Sequence, residues 1–145
     1  MSYNKILIPL DGSVFSDRAL EMGIELAKLA GSEITILFVK DVSVYTPGSI
    51  SIGIDGIRTT LENESDSVLG TAAKKLKDAG VRYSEISADG IPGQVICDLS
   101  INYDLIVMGP SGKTGLRKLV LGSVAQYVVT NAKCSVMAVK KEMKK

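Results

Sequence analysis

Residues 107–125 read VMGPSGKTGLRKLVLGSVA, and how they are read decides the fold. The stretch opens on the end of an apolar run, Leu105-Ile106-Val107-Met108. That run predicts a strand buried on both faces, as in a parallel sheet. Gly109 and Gly112 follow with two residues between them, and after nine intervening residues stand Gly122 and Ser123, which open a segment of helical apolar spacing. A strand that ends in glycines and leads to a helix start suits a phosphate. Glycine allows close approach of the backbone and positive φ. The first N–H groups of a helix are unpaired and carry the positive end of its dipole. Ser123 is placed to cap that helix or to hydrogen-bond a phosphate oxygen.

Two better-known phosphate loops do not fit. GPSGKT ends like a Walker A loop, but that loop needs glycine at 107, where Val107 stands, and Gly115 weakens a helix starting at Lys113. Asp11-Gly12-Ser13-Val14, after the first strand, is not the dinucleotide fingerprint. What remains is G-x2-G-x9-G-S, with Pro9-Leu10-Asp11 closing the first strand. This pattern resembles the ATP-binding branch of the universal stress protein family, over nearly the whole chain. The resemblance implies a Rossmann-like domain holding ATP, or AMP or ADP, with Mg²⁺ on the phosphates near Asp11 rather than on protein side chains alone. It marks Pro9, Leu10, Asp11, Val39, Met108, Gly109, Gly112, Lys113, Gly122, Ser123 and Val124 as the binding residues, with the backbone of Val39 beside the adenine. Between the first two glycines the family often carries polar or basic residues, commonly histidine; here Pro110 and Ser111 stand there. Proline removes one N–H donor. Lys113 and Arg117, in the same loop, offer compensating charge. The plainer reading is that the glycines only make turns.

Composition narrows the rest. A chain of 145 residues fits one domain. At that length roughly 68–70% of the extended surface is buried, enough for a core without staples. Hydrophobic residues make up 46% and the net charge is +1, which suggests neither disorder nor a nucleic-acid surface. The basic tail, from Lys140 to Lys145, reads as a solvated terminus. Cys97 and Cys134 have no metal spacing and read as buried thiols of a reducing, cytoplasmic setting. No targeting signal and no membrane-length apolar run is visible. There is no histidine, which removes Ser-His-Asp and Cys-His hydrolases and any histidine acid-base step.

In chain order, Lys5 to Pro9 predicts a central strand, and Asp11-Gly12-Ser13 a turn at its carboxyl end. Ser13 or Ser16 starts a helix that Gly31 stops; Glu33 to Val39 is a second strand. Asp41 to Gly56 reads as a long connection, expected to be mobile, in which Ile50, Ile52 and Ile54 would share one face of an extended backbone. A helix from about Arg58 to Ala79 ends at Gly80, and Arg82 to Ser87 alternates like an edge strand. Pro92 opens a third helix; Val124, Val128 and Val129 line a fourth; Ser135 to Lys140 is the last strand.

Alternating strands and helices with right-handed crossovers give an α/β doubly wound, five-stranded parallel sheet of order 3-2-1-4-5. Its switch point lies between strands 1 and 4, where Asp11 and Gly109 meet. Three functions fit: an ATP-dependent switch read by protein partners, a slow ATPase or phosphotransferase, and a nucleotide-free dimeric scaffold. The exposed apolar edge from Ser135 to Lys140 points to a homodimer. The 41–56 connection offers a surface for a further protein partner.

Overall fold

The computed structural model describes residues 2–41, 43, 53–111 and 121–140. The loop residues Gly112, Lys113 and Arg117, the stretch 44–52 with Ile50 and Ile52, and the tail beyond Lys140 lie outside the described residues. The elements run β1 (Lys5–Pro9), α1 (Val14–Ala30), β2 (Glu33–Lys40), α2 (Gly53–Ala79), β3 (Tyr83–Asp89), α3 (Pro92–Leu99), β4 (Leu105–Met108), α4 (Ser123–Asn131) and β5 (Ser135–Ala138). The strands form one parallel sheet of order β3-β2-β1-β4-β5, as the alternation of elements requires.

The three inner strands are apolar on both faces because helices cover both. Ile6, Ile8, Ile34, Ile36 and Val107 face one layer, with Leu20 of α1 and Leu69 and Leu76 of α2. Leu7, Leu37, Ile106 and Met108 face the other, with Ile96 of α3 and Ala125 and Val128 of α4. Each such fully buried side chain contributes about 1.5–3 kcal/mol. Helix α1 lies so close to β1 that a Cβ at Gly23 would fall 2.3 Å from Ile8 Cδ1.

Local chemistry sets the boundaries. Ser13 caps α1 by accepting the Ser16 N–H, and Gly31 closes it at φ 71°. At the far end of the sheet, one Asp104 oxygen accepts the N–H groups of Asn4 and Lys5, both at 2.9 Å. The buried Ser100 hydroxyl donates to Cys97 O at 2.6 Å and accepts from Lys133 N–H at 2.8 Å, joining α3 to the α4–β5 turn.

Several boundaries differ from the sequence reading. Helix α2 begins at Gly53, not near Arg58, so Ile54 lies on helical backbone and not in an extended run. The apolar stripe extends back by one turn, through half-buried Ile57 to buried Leu61, and Asp55 sits favourably in the first turn. Strand β3 runs on to Asp89, because all seven of its residues pair with β2. On α4 it is Ala125, not Val129, that joins Val128 in the core; Val129 is 50% exposed, a step of about 100° around the helix from Val128. Strand β5 ends at Ala138, although the Val139 N–H still reaches Met108 O at 2.8 Å.

Candidate functional site

Strands β1 and β4 are neighbours, yet the chain leaves β1 toward β2 and leaves β4 toward β5. The turns that follow them therefore diverge, and a crevice opens above their carboxyl ends. Three short segments line it: Pro9–Ser16, Gly109–Ser111 and Leu121–Val124.

The first segment is a tightly bonded turn. The Leu10 N–H donates to Leu37 O at 2.8 Å, one residue beyond the end of β1. Asp11 Oδ1 accepts the Ser13 N–H at 2.9 Å, and Ser16 Oγ accepts the Asp11 N–H at 3.3 Å while donating to Ser13 O at 3.1 Å. Gly12 carries the positive φ, 83°, that such a turn demands. Asp11 is thus half-buried, with one carboxylate oxygen holding the turn and the other without a partner among the described residues. Ser16, only 5% exposed, reads in the sequence as a candidate helix start; Ser13 takes the cap, and the Ser16 hydroxyl instead braces this turn.

The second segment explains its own glycine. A Cβ at Gly109 would lie 2.8 Å from Phe15 Cβ and 3.0 Å from the Phe15 carbonyl carbon. Gly109 is therefore small because the first turn of α1 packs on it. Pro110, which has no N–H, contributes its carbonyl instead: it accepts the Gly122 N–H at 2.7 Å and ties the start of α4 to the exit of β4.

Gly122 is the N-cap of α4, at φ −68° and ψ 168°, with no side-chain cap. Two expectations are corrected here. The glycine does not use positive φ; it is close packing that requires it, since a Cβ there would meet Ser111 Cα at 3.2 Å and Ser111 Cβ at 3.3 Å. Ser123 does not cap the helix either. It is the first helical residue and exposed, because Gly122 takes the extended cap position. The first turn of α4 thus has no capping side chain for its N–H groups, beside the β4 exit to which Gly122 is bonded. Val124 is half-buried behind them, packed against the second core layer.

Val39 flanks the crevice from the β2 side. Successive residues of a parallel strand direct their N–H and C=O alternately to the two neighbouring strands. Leu37 O is bonded toward β1, by Leu10, and Lys40 O toward β3, by the Gly90 N–H at 3.1 Å. The N–H and C=O of Val39 must therefore point to the β1 side, beyond the last described bond between the two strands. The register thus leaves the Val39 N–H and C=O without a backbone partner among the described residues, which its side chain could not signal. Met108 has no such freedom at its carbonyl, which the Val139 N–H occupies.

Elsewhere, an open cleft of about 390 Å³ lies at the opposite end of the sheet, between the closing turns of α1 and α2, lined by Gly31, Ser32, Gly80 and Arg82 among others. Its helix ends expose carbonyls, not N–H groups, so it lacks the donor array of the crevice. Burial, helped by Asp98 beside Cys97 and Asp104 beside Cys134, raises both thiols above their ordinary pKa. Both are only partly buried against the second core layer, where the sequence suggests buried thiols. No group of three metal-ligating side chains forms among the described residues, and none of their helices is long and apolar enough to cross a membrane.

The universal stress protein family profile matches residues 2–140. A universal stress protein of Methanocaldococcus jannaschii, MJ0531, is 37% identical over 144 residues, covering 98% of this chain and 85% of that protein. The solved structure of MJ0577, from the same organism, superposes with a TM-score of 0.88 at 28% identity, covering 99% of this chain and all of the other. The Archaeoglobus fulgidus universal stress protein in complex with dAMP shares the fold at 23% identity, with a TM-score of 0.67 over 97% of this chain and 100% of that one. Sheet order, strand pairing and profile agree: the chain belongs to the universal stress protein family.

Proposed function

We propose that this protein binds an adenine nucleotide, ATP or its mono- or diphosphate, in the β1/β4 crevice and acts as a nucleotide-dependent module read by a partner protein. The observation that carries this reading is the start of α4. Its first turn has no side-chain cap, Ser123 there is exposed, and the Gly122-to-Pro110 bond ties that helix start to the β4 exit. Such a helix start suits phosphate oxygens. The unpaired N–H and C=O of Val39 suit the edge of the base, and Asp11, with one oxygen uncommitted, suits a ribose hydroxyl or a water on a phosphate-bound Mg²⁺. Gly112 and Lys113 would add to the phosphate contacts in this reading. The dAMP held by the distant Archaeoglobus relative is consistent with it.

The test is the small-molecule content of freshly purified protein, released by heat and weighed, followed by titration calorimetry. Adenine nucleotide should be found. In Gly122→Val, the added carbons would crowd Ser111, already 3.2 Å from a Cβ at that position, and push the start of α4 away. Losing one or two charge-assisted hydrogen bonds should weaken binding roughly tenfold to a thousandfold. A folded Gly122→Val variant with unchanged affinity would sink the assignment.

The same reading includes a homodimer joined along β5. Its outer edge is unpaired in the sheet order, and Val136, Met137 and Ala138 are only half-buried. A second copy related by a two-fold axis would cover that edge.

A further inference from the structure

Lys40 is the last residue of β2, next to Val39. Its ammonium lies 2.8 Å from Glu62 Oε1 of α2 and 3.4 Å from Asp89 Oδ1 at the end of β3. The lysine side chain is 14% exposed, while the two carboxylates are 58% and 67% exposed. The less exposed partner is thus the cation, and the acids meet it from the solvent side. Its main chain is held as well, since Lys40 O accepts the Gly90 N–H at 3.1 Å. One residue therefore ties together the end of β2, the turn after β3 and the flank of α2. The pair to Glu62 raises its pKa more than burial lowers it, with Asp89 adding to the rise, so the clamp stays charged at neutral pH.

An exposed ion pair contributes little to global stability, and a general stabilising role would be a weak explanation for this one. Its location suggests another. The strand end it fixes is the one whose Val39 N–H and C=O have no partner in the sheet. A purine edge is read by such a pair through its pattern of donors and acceptors. Adenine offers an exocyclic NH₂ donor where guanine offers a carbonyl acceptor. A backbone N–H and C=O held at fixed positions accept one pattern and reject the other. A strand end free to shift or rotate a peptide could accommodate both.

We propose that Lys40, through Glu62 and Asp89, is a positioning residue that holds the Val39 backbone in register and thereby sets selectivity for adenine over guanine. This rests on the reading of the crevice as a nucleotide site, and it concerns the base end of that site alone. Among the described residues, the phosphate end, built from α4 and the β4 exit, shares no hydrogen bond or ion pair with the clamp.

The experiment measures three dissociation constants, for ATP, GTP and inorganic tripolyphosphate, by calorimetry on the intact protein and on Lys40→Met. Tripolyphosphate binding should stay within about twofold, since the perturbed residue makes no contact at that end. ATP affinity and the ATP-to-GTP preference should each fall roughly five- to fiftyfold, as for the loss of one coupled, partly buried network. Lys40→Arg, which keeps the charge and the reach to both acids, should restore most of the preference. Glu62→Gln, an exposed change that the fold will tolerate, should move the preference in the same direction by less, and it stands in if Lys40→Met does not fold. An unchanged preference in both variants, with tight ATP binding by the parent, would overturn the role of Lys40 and leave the site intact. Equal losses for ATP and tripolyphosphate would overturn it too, as a general loosening. A parent protein that binds none of the three would remove the nucleotide reading and this inference with it.

Discussion

Alanine at Gly109 is the sharpest test of how the crevice is built. Its methyl would lie 2.8 Å from Phe15 Cβ, 3.0 Å from the Phe15 carbonyl carbon and 3.1 Å from its oxygen. Carbon atoms pack best at about 3.5–4.0 Å, so one side must retreat by roughly 0.5–1 Å. Two of the three atoms are backbone, in the first turn of α1. That turn is pinned by the Asp11, Ser13 and Ser16 hydrogen bonds. On the other side, Met108 is locked to β5 by the Val139 N–H. No flexible side-chain tip can absorb the strain, which places the cost in the overpacking range of about 1–3 kcal/mol. At about 2–4 °C per kcal/mol for a domain of this size, the melting temperature should fall by roughly 2–12 °C. The retreat also separates Asp11 from the start of α4, so nucleotide affinity should fall by about tenfold or more. Gly70→Ala is the control, since nothing lies within 4 Å of the added methyl in the middle of α2. It should raise stability by roughly 0.5–1 kcal/mol, the ordinary gain of alanine over glycine in a helix. Scanning calorimetry on the two variants and the parent gives both shifts. A Gly109→Ala variant that melts with the parent would refute the argument that α1 packing dictates this glycine.

Other expectations concern Asp11, the dimer and alkaline pH. Asp11→Asn keeps an oxygen for the Ser13 N–H, so thermal stability should hold while the Mg²⁺ dependence of nucleotide affinity is lost; Asp11→Ala should lower both, the stability by about 1 kcal/mol. Equal melting of the two variants would contradict the role of the turn. Sedimentation should show a dimer for the parent and a monomer for Ala138→Pro. The Val139 N–H already points to β4, so alternation puts the Ala138 N–H on the open edge, and proline there spares the inner ladder. Cys97, Cys134 and Lys40 all have pKa values raised in the folded state, so the fold holds those protons more tightly than the unfolded chain does. Their contribution is complete below the unfolded values, about 8.5 for a thiol, and is lost as pH rises through the higher folded ones. Urea midpoints should fall between about pH 8 and 10, and less steeply in a Cys97→Ala/Cys134→Ala variant. Identical slopes would sink the assignment to the thiols.

The sheet order was legible in the sequence because inner parallel strands must be apolar on both faces, and Lys5–Pro9 and Leu105–Met108 are. The C-terminal stops at Gly31 and Gly80 were legible too, since both take the left-handed conformation at φ 71° and 72°. What escaped depends on partners distant in the chain. Ser65 carries no sequence signal of burial, yet it is 1% exposed and bonded to Ser87 Oγ at 2.8 Å. Lys40 falls one residue beyond the strand that the sequence marks from Glu33 to Val39, and nothing local announces Glu62 or Asp89. At Gly109 and Gly122 the structure adds a reason the spacing does not carry, the close packing of Phe15 and Ser111. Spacing reveals that a residue must be small, and only packing reveals which neighbour makes it so. The free backbone groups of Val39 follow from strand register, which no side chain encodes.

The position of β1 also has a consequence for synthesis. As the chain leaves the ribosome, the partner of β1 on one side, β2, follows it at once. Its partner on the other is β4, with Ile6 opposite Leu105. At roughly 5–20 residues per second, the chain of about a hundred residues between them takes on the order of 5–20 s to appear. Through that interval the strand destined for the middle of the sheet has one side unclaimed. The residues beside that gap, Ile6, Leu7 and Ile8, end up without any exposure at all. The strand order therefore fixes how long the nascent chain must be kept from its neighbours on the polysome, and a pause placed before residue 105 would lengthen that exposure.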